Sequence, residues 1–494
     1  MIRMLQALRQ RLTLILLCLL PFHAFLVTVL TKVMVGPVHA PLPVLAVWKE
    51  ALLGVTLGIA VTEVMISAKQ WLVGSRQWLV FFKKIDALDV IILASLLLSI
   101  AIFITHYPLS TIHFIYGFKY DFLPLIAFLI LRRVPWGERW LQHVQISLIL
   151  VGSIVSAYGL LTLFLPDSFF SWLGYSNQHS LYFANSSLSA FQHLQASDLR
   201  RVQSVLSGPN QLGLWLLIPL GMVLGSWSPW KVVSFLLILL AIIGSFSRAA
   251  WIAAIVMTMV VYASSVAKER RRKIVLRSLT SVVGFAIALV FLFPSVVGRM
   301  GSSSDHLRKP VEAMRLILMH PFGLGLGSAG PASNALSDSC VFLRPQDDPS
   351  WAKATPALCV FVGGKQVQPS LPSGELRPAG QLPLPSGELR PAGQSSHSCS
   401  CPLLTENWYL QWGVEMGWLG LLLSVMLPCF VFRKWFVVRG SWSEKLITSH
   451  LLLTTLLSFL GLSIAALFLH AFEDSAVAYS MWILLAMKLP PTRR

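Results

Sequence analysis

Charged residues fall in clusters along this chain, and long apolar stretches run between them. A helix needs about 20 mostly apolar residues to cross the hydrocarbon core of a bilayer. Runs of spanning length occupy residues 12–34, 43–66, 88–105, 113–131, 143–165, 210–227, 230–246, 248–267, 274–298, 409–432, 449–470 and 475–487. They predict an all-α polytopic membrane protein with about 12 transmembrane helices. The strict strand alternation of an outer-membrane barrel is absent. The basic lead MIRMLQALRQR precedes a run too long for a signal peptide core, so 12–34 reads as an uncleaved first span.

Polar segments between the runs set the sides. Residues 69–84, 132–139, 268–273, 433–445 and 488–494 are rich in Lys and Arg. In a twelve-span arrangement they share one side with the N-terminus, and the positive-inside rule makes that side cytoplasmic. The short loops opposite, near 35–42, 106–112 and 471–474, carry no Lys or Arg, with Lys32 at the outer end of the first span a mild exception. Both termini are expected in the cytoplasm, and two long loops outside it. The predicted organisation is a five-helix part (1–165), a first long extracytoplasmic loop (166–209), spans six to nine (210–298), a large extracytoplasmic loop (299–408) and spans ten to twelve (409–494).

Composition agrees with a membrane solvent. Of 494 residues, 55% are hydrophobic and 12% charged, more apolar surface than a soluble domain of this size could bury. The formal net charge of +18 would suggest nucleic acid in a soluble protein; here it reflects loops facing anionic lipid, and no nucleic-acid partner is expected.

Against this background IIGSFSRAAWIAAIV (242–256) stands out, because Arg248 is its only charge. Arginine at the centre of a membrane helix costs roughly 2.5–3.5 kcal/mol on insertion scales. The topology places Arg248 instead at the outer tip between spans seven and eight. A snorkelling arginine is the bland reading. Arg200, Arg201, Arg299, Arg308 and Lys309 also lie in the outer loops. Spans six and eight begin there, so their N-termini point outward with unpaired N–H groups and positive dipole ends. SGPNQLG (207–213) opens span six, with Ser207, Gly208 and Asn210 as capping or turn residues. Helix N-termini and arginines together suit an anionic, phosphorylated ligand at the outer face.

Four segments occur in order: RVQSVLSGPNQLG (201–213), GSFSRAAW (244–251), HLRKPVEAMRLILMHPFGLGLGSAGPAS (306–333) and ENWYLQWGVEMGWLG (406–420). Together they resemble the O-antigen ligase/polymerase superfamily of bacterial membrane glycosyltransferases, over about Arg201 to Leu485, with GFKYDFLPL (117–125) as a weaker match. The resemblance implies an outer-face cavity and glycans carried on undecaprenyl pyrophosphate, whose pyrophosphate leaves as the sugar passes to an acceptor hydroxyl. By motif position, Arg201 and Arg248 resemble the pyrophosphate-contacting arginines, with Arg308 and His306 as further phosphate or sugar contacts. Such an enzyme needs no cofactor or metal. Membrane lipids are implied partners, with other polysaccharide-assembly proteins as further candidates.

One departure bears on the activity. Ligases that resemble this chain carry a histidine just ahead of the tenth-span tyrosine-leucine pair, where this sequence reads Glu406-Asn407-Trp408-Tyr409-Leu410. That favours a polymerase, with Glu406 as an alternative base or as a helix-dipole charge. Asn210, Tyr409, His470 and Asp474 are expected to bind substrate, as are Lys119 and Asp121. The turn LHAFEDSA (469–476) groups His470, Glu473 and Asp474, either to position an acceptor or simply to end a span. Lys49 with Glu50, and Lys119 with Asp121, put charges inside apolar runs, where they usually line a cavity or find partners. VEAMRLILMH (311–320) predicts a surface helix with Met314, Leu316, Leu318 and Met319 on its apolar side. Gly323, Gly325 and Gly327 allow tight turns or close backbone approach.

Residues 335–404 read as a disordered insertion, because LPSGELRPAGQ occurs at 371–381 and again at 384–394 in Pro-, Gly- and Ser-rich surroundings. Cys340, Cys359, Cys399 and Cys401 fall within it, and a disulfide outside the cytoplasm is open to them. His397, Cys399 and Cys401 lack the usual spacing of a structural zinc site. The first short outer loop, near 35–42, has no acidic residue, unlike the metal-dependent polyprenyl-phosphate transferases. The remaining alternatives are a ligase acting on a lipid-core or protein acceptor, and a flippase for lipid-linked glycans.

Overall fold

The computed structural model describes residues 1–37, 39–72, 85–105, 111–176, 187–194, 199–225, 229–265, 300–343, 345–354, 358–368, 399–440 and 446–490. It is mostly helical, at 71%. The sequence's apolar runs become α1 (Ile2–Leu19) and α2 (His23–Val35), joined by one 3-10 turn; α3 (Pro43–Ala46) and α4 (Trp48–Leu72); α5 (Ala87–Thr105); α6 (Thr111–Asp121) and α7 (Leu123–Leu131); and α8 (Glu138–Leu161). After the short α9 (Asp167–Trp172) come α10 (Pro209–Leu224), α11 (Pro229–Gly244) and α12 (Arg248–Ser265). The last part holds α13 (Met300–Met319), α14 (Gly330–Leu336), α15 (Trp408–Gly440), α16 (Leu446–Ala465) and α17 (Ser475–Lys488).

Among the described residues, five helical stretches are long and apolar enough to cross a membrane, or six if α6 and α7, bent by 44°, form one broken span. Five shorter apolar helices accompany them: Pro209–Leu224, Lys231–Gly244, Arg248–Ala263, Leu452–Ala465 and Ser475–Lys488. These are the elements of a helical membrane protein. The expected ninth span, 274–298, lies outside the described residues.

Burial separates a central pair of helices from a peripheral set. In α10 every residue from Leu212 to Val223 is buried, and in α17 every residue from Ala476 to Met487. Small residues bring the backbones together, as membrane packing requires. A Cβ on Gly221 would meet the Ser458 backbone nitrogen at 2.8 Å, and one on Gly225 would meet Thr454 Cγ2 at 2.4 Å. The Ser458 hydroxyl donates to the Ile218 carbonyl at 2.9 Å. Peripheral α5 shows the opposite pattern. Val90, Leu93, Leu97, Ile100 and Ile104 are exposed at steps of three and four, an apolar stripe that suits lipid, while Leu88, Ile91, Ser95 and Ser99 on the other side are buried.

The contacts also separate the two ends of the bundle. α10 and α16 are antiparallel, because Gly221 and Gly225 meet Ser458 and Thr454 in reverse order. The start of α10 therefore lies at the same end as the finish of α16, where the Trp408 N–H donates to the Ala466 carbonyl and opens α15. The start of α12 joins them, since a Cβ on Gly213 would meet Ala250 at 2.8 Å. At the other end buried ion pairs gather. Arg132 binds Asp86 at 2.6 Å and Asp89 at 3.0 Å, and donates to the Leu489 carbonyl. Arg9 binds Glu63 at 2.8 Å and lies over the Trp136 ring at 4.1 Å.

Two expectations need correction. The stretch 335–404 is not disordered throughout. Residues Cys340–Leu343 (β1), Cys359–Val362 (β2) and Lys365–Gln368 (β3) form a three-stranded sheet, β1 parallel and β3 antiparallel to β2. Disulfides Cys340–Cys401 and Cys359–Cys399 staple it. Covalent closure lets so small a core, made of Val341, Ala352, Leu358 and Val360, stand where composition alone suggests a coil. The repeats at 371–394 lie outside the described residues. In α13, the residues buried are Ala313 and Ile317, packed on Ala329 and Val414, while Leu318 and Met319 are exposed.

Candidate functional site

Four polar groups occupy the end of the bundle where α10, α12, α15 and α17 begin. The first is built on arginines. In extended backbone, consecutive side chains point to opposite faces. Arg200 turns to Asp167 and the Leu165 carbonyl, with its guanidinium over Phe191. Arg201 turns inward and is 9% exposed. Its Nε donates to the Ser245 carbonyl at 3.0 Å, Nη1 to Gln192 Oε1 at 3.2 Å and Nη2 to Asn210 Oδ1 at 3.0 Å. These three acceptors are neutral. Asn210, expected to cap or turn, instead orients Arg201, and the N-cap of α10 is Gly208 with no side-chain cap.

Ser245 belongs to the tight turn between α11 and α12, in which Phe246 takes a positive φ of 52°. Arg248 is the first residue of α12, three positions beyond Ser245. Arg201 and Arg248 are thus tied to the same turn. The Val202 N–H donates to the Gly244 carbonyl at 2.8 Å, which sets the two segments side by side.

A second group lies on α4 and α6. Glu50 pairs with Lys119 at 3.0 Å and with Lys49 at 3.4 Å. Lys49 also reaches His23 Nε2 at 2.9 Å. The charges expected to find partners inside the apolar runs have found one another. Asp121 departs from that pair. It is buried and accepts from Trp412 Nε1 at 3.1 Å.

The third group surrounds Glu406, whose φ of 52° is unusual for a residue with a Cβ. Lys309 binds Glu406 at 2.9 Å. Nearby, His470 Nε2 and the Thr405 hydroxyl are 3.0 Å apart. Burial pushes the imidazole down to about 4, with Glu406 opposing and Lys309 reinforcing the shift. His470 is neutral at pH 7.

Other expected site residues have structural work. Asp474 caps α17, accepting from the Ala476 and Val477 amides at 3.0 and 3.2 Å. Tyr409 is buried and donates to the Ser463 carbonyl at 2.9 Å. Arg308 is exposed and pairs with Glu312 one turn along its own helix, at 2.8 Å. His306 lies in α13, but its side chain, like Arg299, is outside the described residues.

The fourth group joins the glycines of HPFGLGLG to Glu415, a residue that the sequence analysis does not name. α15 breaks at Gly417, with φ 68° and ψ −160°. The break frees carbonyls, and the loop HPFGLGLG binds them: Leu324 N–H donates to Val414, Gly325 N–H to Glu415, and in return Trp418 N–H donates to Pro321. Gly323, Gly325 and Gly327 all have positive φ, so both readings of these glycines hold. A Cβ on Gly323 would meet the Glu415 carbonyl oxygen at 2.3 Å. The buried Glu415 carboxyl accepts from Gly327 and Ala329 amides at 3.0 and 3.4 Å, beside Asp121. A lone acid in the apolar run WGVEMGWLG is the same signal that flags Lys49 and Asp121.

Among the described residues, one group of three ligand-type side chains is close enough to share an ion: Asp338, Cys359 and Cys399. Its two cysteines are consumed by their disulfide. No protein-family model matches this chain, and no curated protein matches it significantly.

Proposed function

We propose that this protein is a metal-independent membrane glycosyltransferase that polymerises undecaprenyl-pyrophosphate-linked oligosaccharides into a surface polysaccharide. The observation that carries the reading is the bond from Arg201 Nε to the Ser245 carbonyl, which ties two arginines to one turn at helix starts. Two guanidiniums beside N-terminal dipoles suit the two phosphoryl groups of a departing pyrophosphate. The sequence resemblance assigns these arginines that role.

In the mechanism, Arg201 is held in place by Asn210 and Gln192, so its orientation is set before substrate arrives. Charge develops on the bridging oxygen as the sugar–oxygen bond breaks, and a preorganised cation stabilises that charge more than it stabilises the ground state. The acceptor hydroxyl attacks the anomeric carbon and must lose its proton. Glu406 is the base, held by Lys309, with neutral His470 nearby. The membrane is inner and bacterial, with this end of the bundle facing outward.

The test uses purified protein in lipid with undecaprenyl-pyrophosphate oligosaccharide alone, products being resolved by glycan size. A ladder of products is expected. Arg248→Ala and Arg201→Ala should each reduce its formation by roughly 100-fold or more, about 2.7 kcal/mol in the barrier, while the protein still inserts. A normal ladder from both variants removes the arginine mechanism. Consumption of substrate only when a lipid-core or protein acceptor is added moves the assignment to a ligase. Glycan movement with no new linkage moves it to a flippase.

A further inference from the structure

Asp121, Glu415 and Glu473 come from three separate stretches of the chain and meet beneath the polar groups just described. All three are buried. Asp121 faces both Glu415 and Glu473. Three ionised carboxylates in such a place would be costly, since each buried charge requires pairing or hydrogen bonds. Among the described residues no ion pair reaches any of them. The nearby cations on α4 and α6, Lys49 and Lys119, are engaged by Glu50.

The available donors are unevenly shared. Glu415 Oε1 accepts two backbone amides, and Asp121 Oδ1 accepts the Trp412 indole. These donors suit a negative charge. Glu473 has no hydrogen-bond partner at either oxygen, and neither do Asp121 Oδ2 and Glu415 Oε2. Burial first, and then the neighbouring Asp121, hold the Glu473 carboxyl well above its ordinary range.

An independent observation comes from Gln411. Its side chain is fully buried and makes no hydrogen bond of good geometry, and its one polar neighbour among the described residues is Glu473, whose charged form it favours. A buried amide costs free energy unless something occupies the space it addresses. A proton on Glu473 would relieve its burial as a charge and its repulsion from Asp121, with the Gln411 amide opposing. A second proton between Asp121 and Glu415 would satisfy the oxygens left over there. A metal ion fits less well, because these three acids are not among the groups close enough to share one.

We propose that Asp121, Glu415 and Glu473, with Gln411, form a buried proton-binding site that holds at least one proton at neutral pH, with Glu473 its main seat. Other titratable groups around it are Lys49 and Glu50 on α4, Lys119 and Tyr120 on α6, and Asp474 and Tyr479 at the start of α17. The proposal concerns occupancy by protons and stands apart from the glycosyl-transfer reading.

The experiment is infrared spectroscopy of the full-length protein in lipid at pH 7, with and without glutamate isotopically labelled at its side-chain carboxyl carbon. A carbonyl band of a protonated carboxyl is expected, shifted by the glutamate label and lost in Glu473→Gln. Absence of a label-sensitive band in folded wild type would overturn the proposal, whatever the variant does. So would a band that persists unchanged in a folded Glu473→Gln. Thermal unfolding in sodium and in choline chloride supplies the second arm. Equal midpoints are expected, whereas a sodium-dependent rise that Glu473→Gln abolishes would make this a metal-cation site.

Discussion

At the residue scale, close approach and burial decide what each position tolerates. Gly327 has φ of 82°, and a Cβ there would meet the His113 carbonyl oxygen at 2.1 Å. Gly327→Val should destabilise the protein by about 2–4 kcal/mol, combining overpacking with the left-handed backbone. A lowered thermal midpoint would show it; an unchanged midpoint would mean that the loop and α6 do not touch. His470 gives a pH dependence. Its pKa falls from an ordinary 6.5 to about 4 on folding, so the unfolded chain binds the proton more tightly. Its contribution is complete above the ordinary value of 6.5 and is lost as pH falls toward about 4. His470→Asn should flatten the thermal midpoint across that window. A variant that keeps the wild-type slope would assign the slope to other groups.

Elements divide by how local their causes are. The apolar runs are legible in the sequence because a bilayer demands about 20 apolar residues whatever the neighbours do. Arg248 is legible at the start of α12 because a lone charge in such a run has few tolerable positions. The partners are not. Arg201 binds Ser245 across 44 residues, and Asp121 binds Trp412 across 291. Neither spacing leaves a periodic trace. The break at Gly417 is hidden for another reason: its lost helical bonds are replaced by the HPFGLGLG loop, far earlier in the chain. The stapled sheet escapes a reading of composition because repeats dominate the local sequence while its four cysteines carry the structure. Replacing Cys340 and Cys359 by Ser should cost that sheet about 2–4 kcal/mol for each bridge lost. Limited proteolysis between residues 338 and 401 would then cut the variant faster, with the helices intact. Equal cutting would show that the strands hold without covalent help.

For the molecule as a whole, the two ends of the bundle are built differently, and the proposed orientation can be tested on that difference. Arg9, Arg132 and their acids close one end, while disulfides lie beyond the other. Disulfides persist outside the reducing cytoplasm. In right-side-out cells, a membrane-impermeant reductant followed by a bulky, charged maleimide should label Cys340 and Cys401. Cys429, a free thiol within α15, serves as the unlabelled reference. Labelling of the bridge cysteines only after the cells are opened would invert the proposed topology.

The stapled sheet leaves and rejoins the bundle through a narrow stem. Gly330 N–H donates to the Leu403 carbonyl, Leu403 N–H to the Ser333 hydroxyl and Asp338 N–H to the Ser400 carbonyl. Strands clasped in this way isolate whatever hangs beyond them. The segment past Asp338 can therefore lengthen, duplicate or shrink over generations without strain reaching the helices, which makes this point of the chain a natural port for grafting a foreign domain.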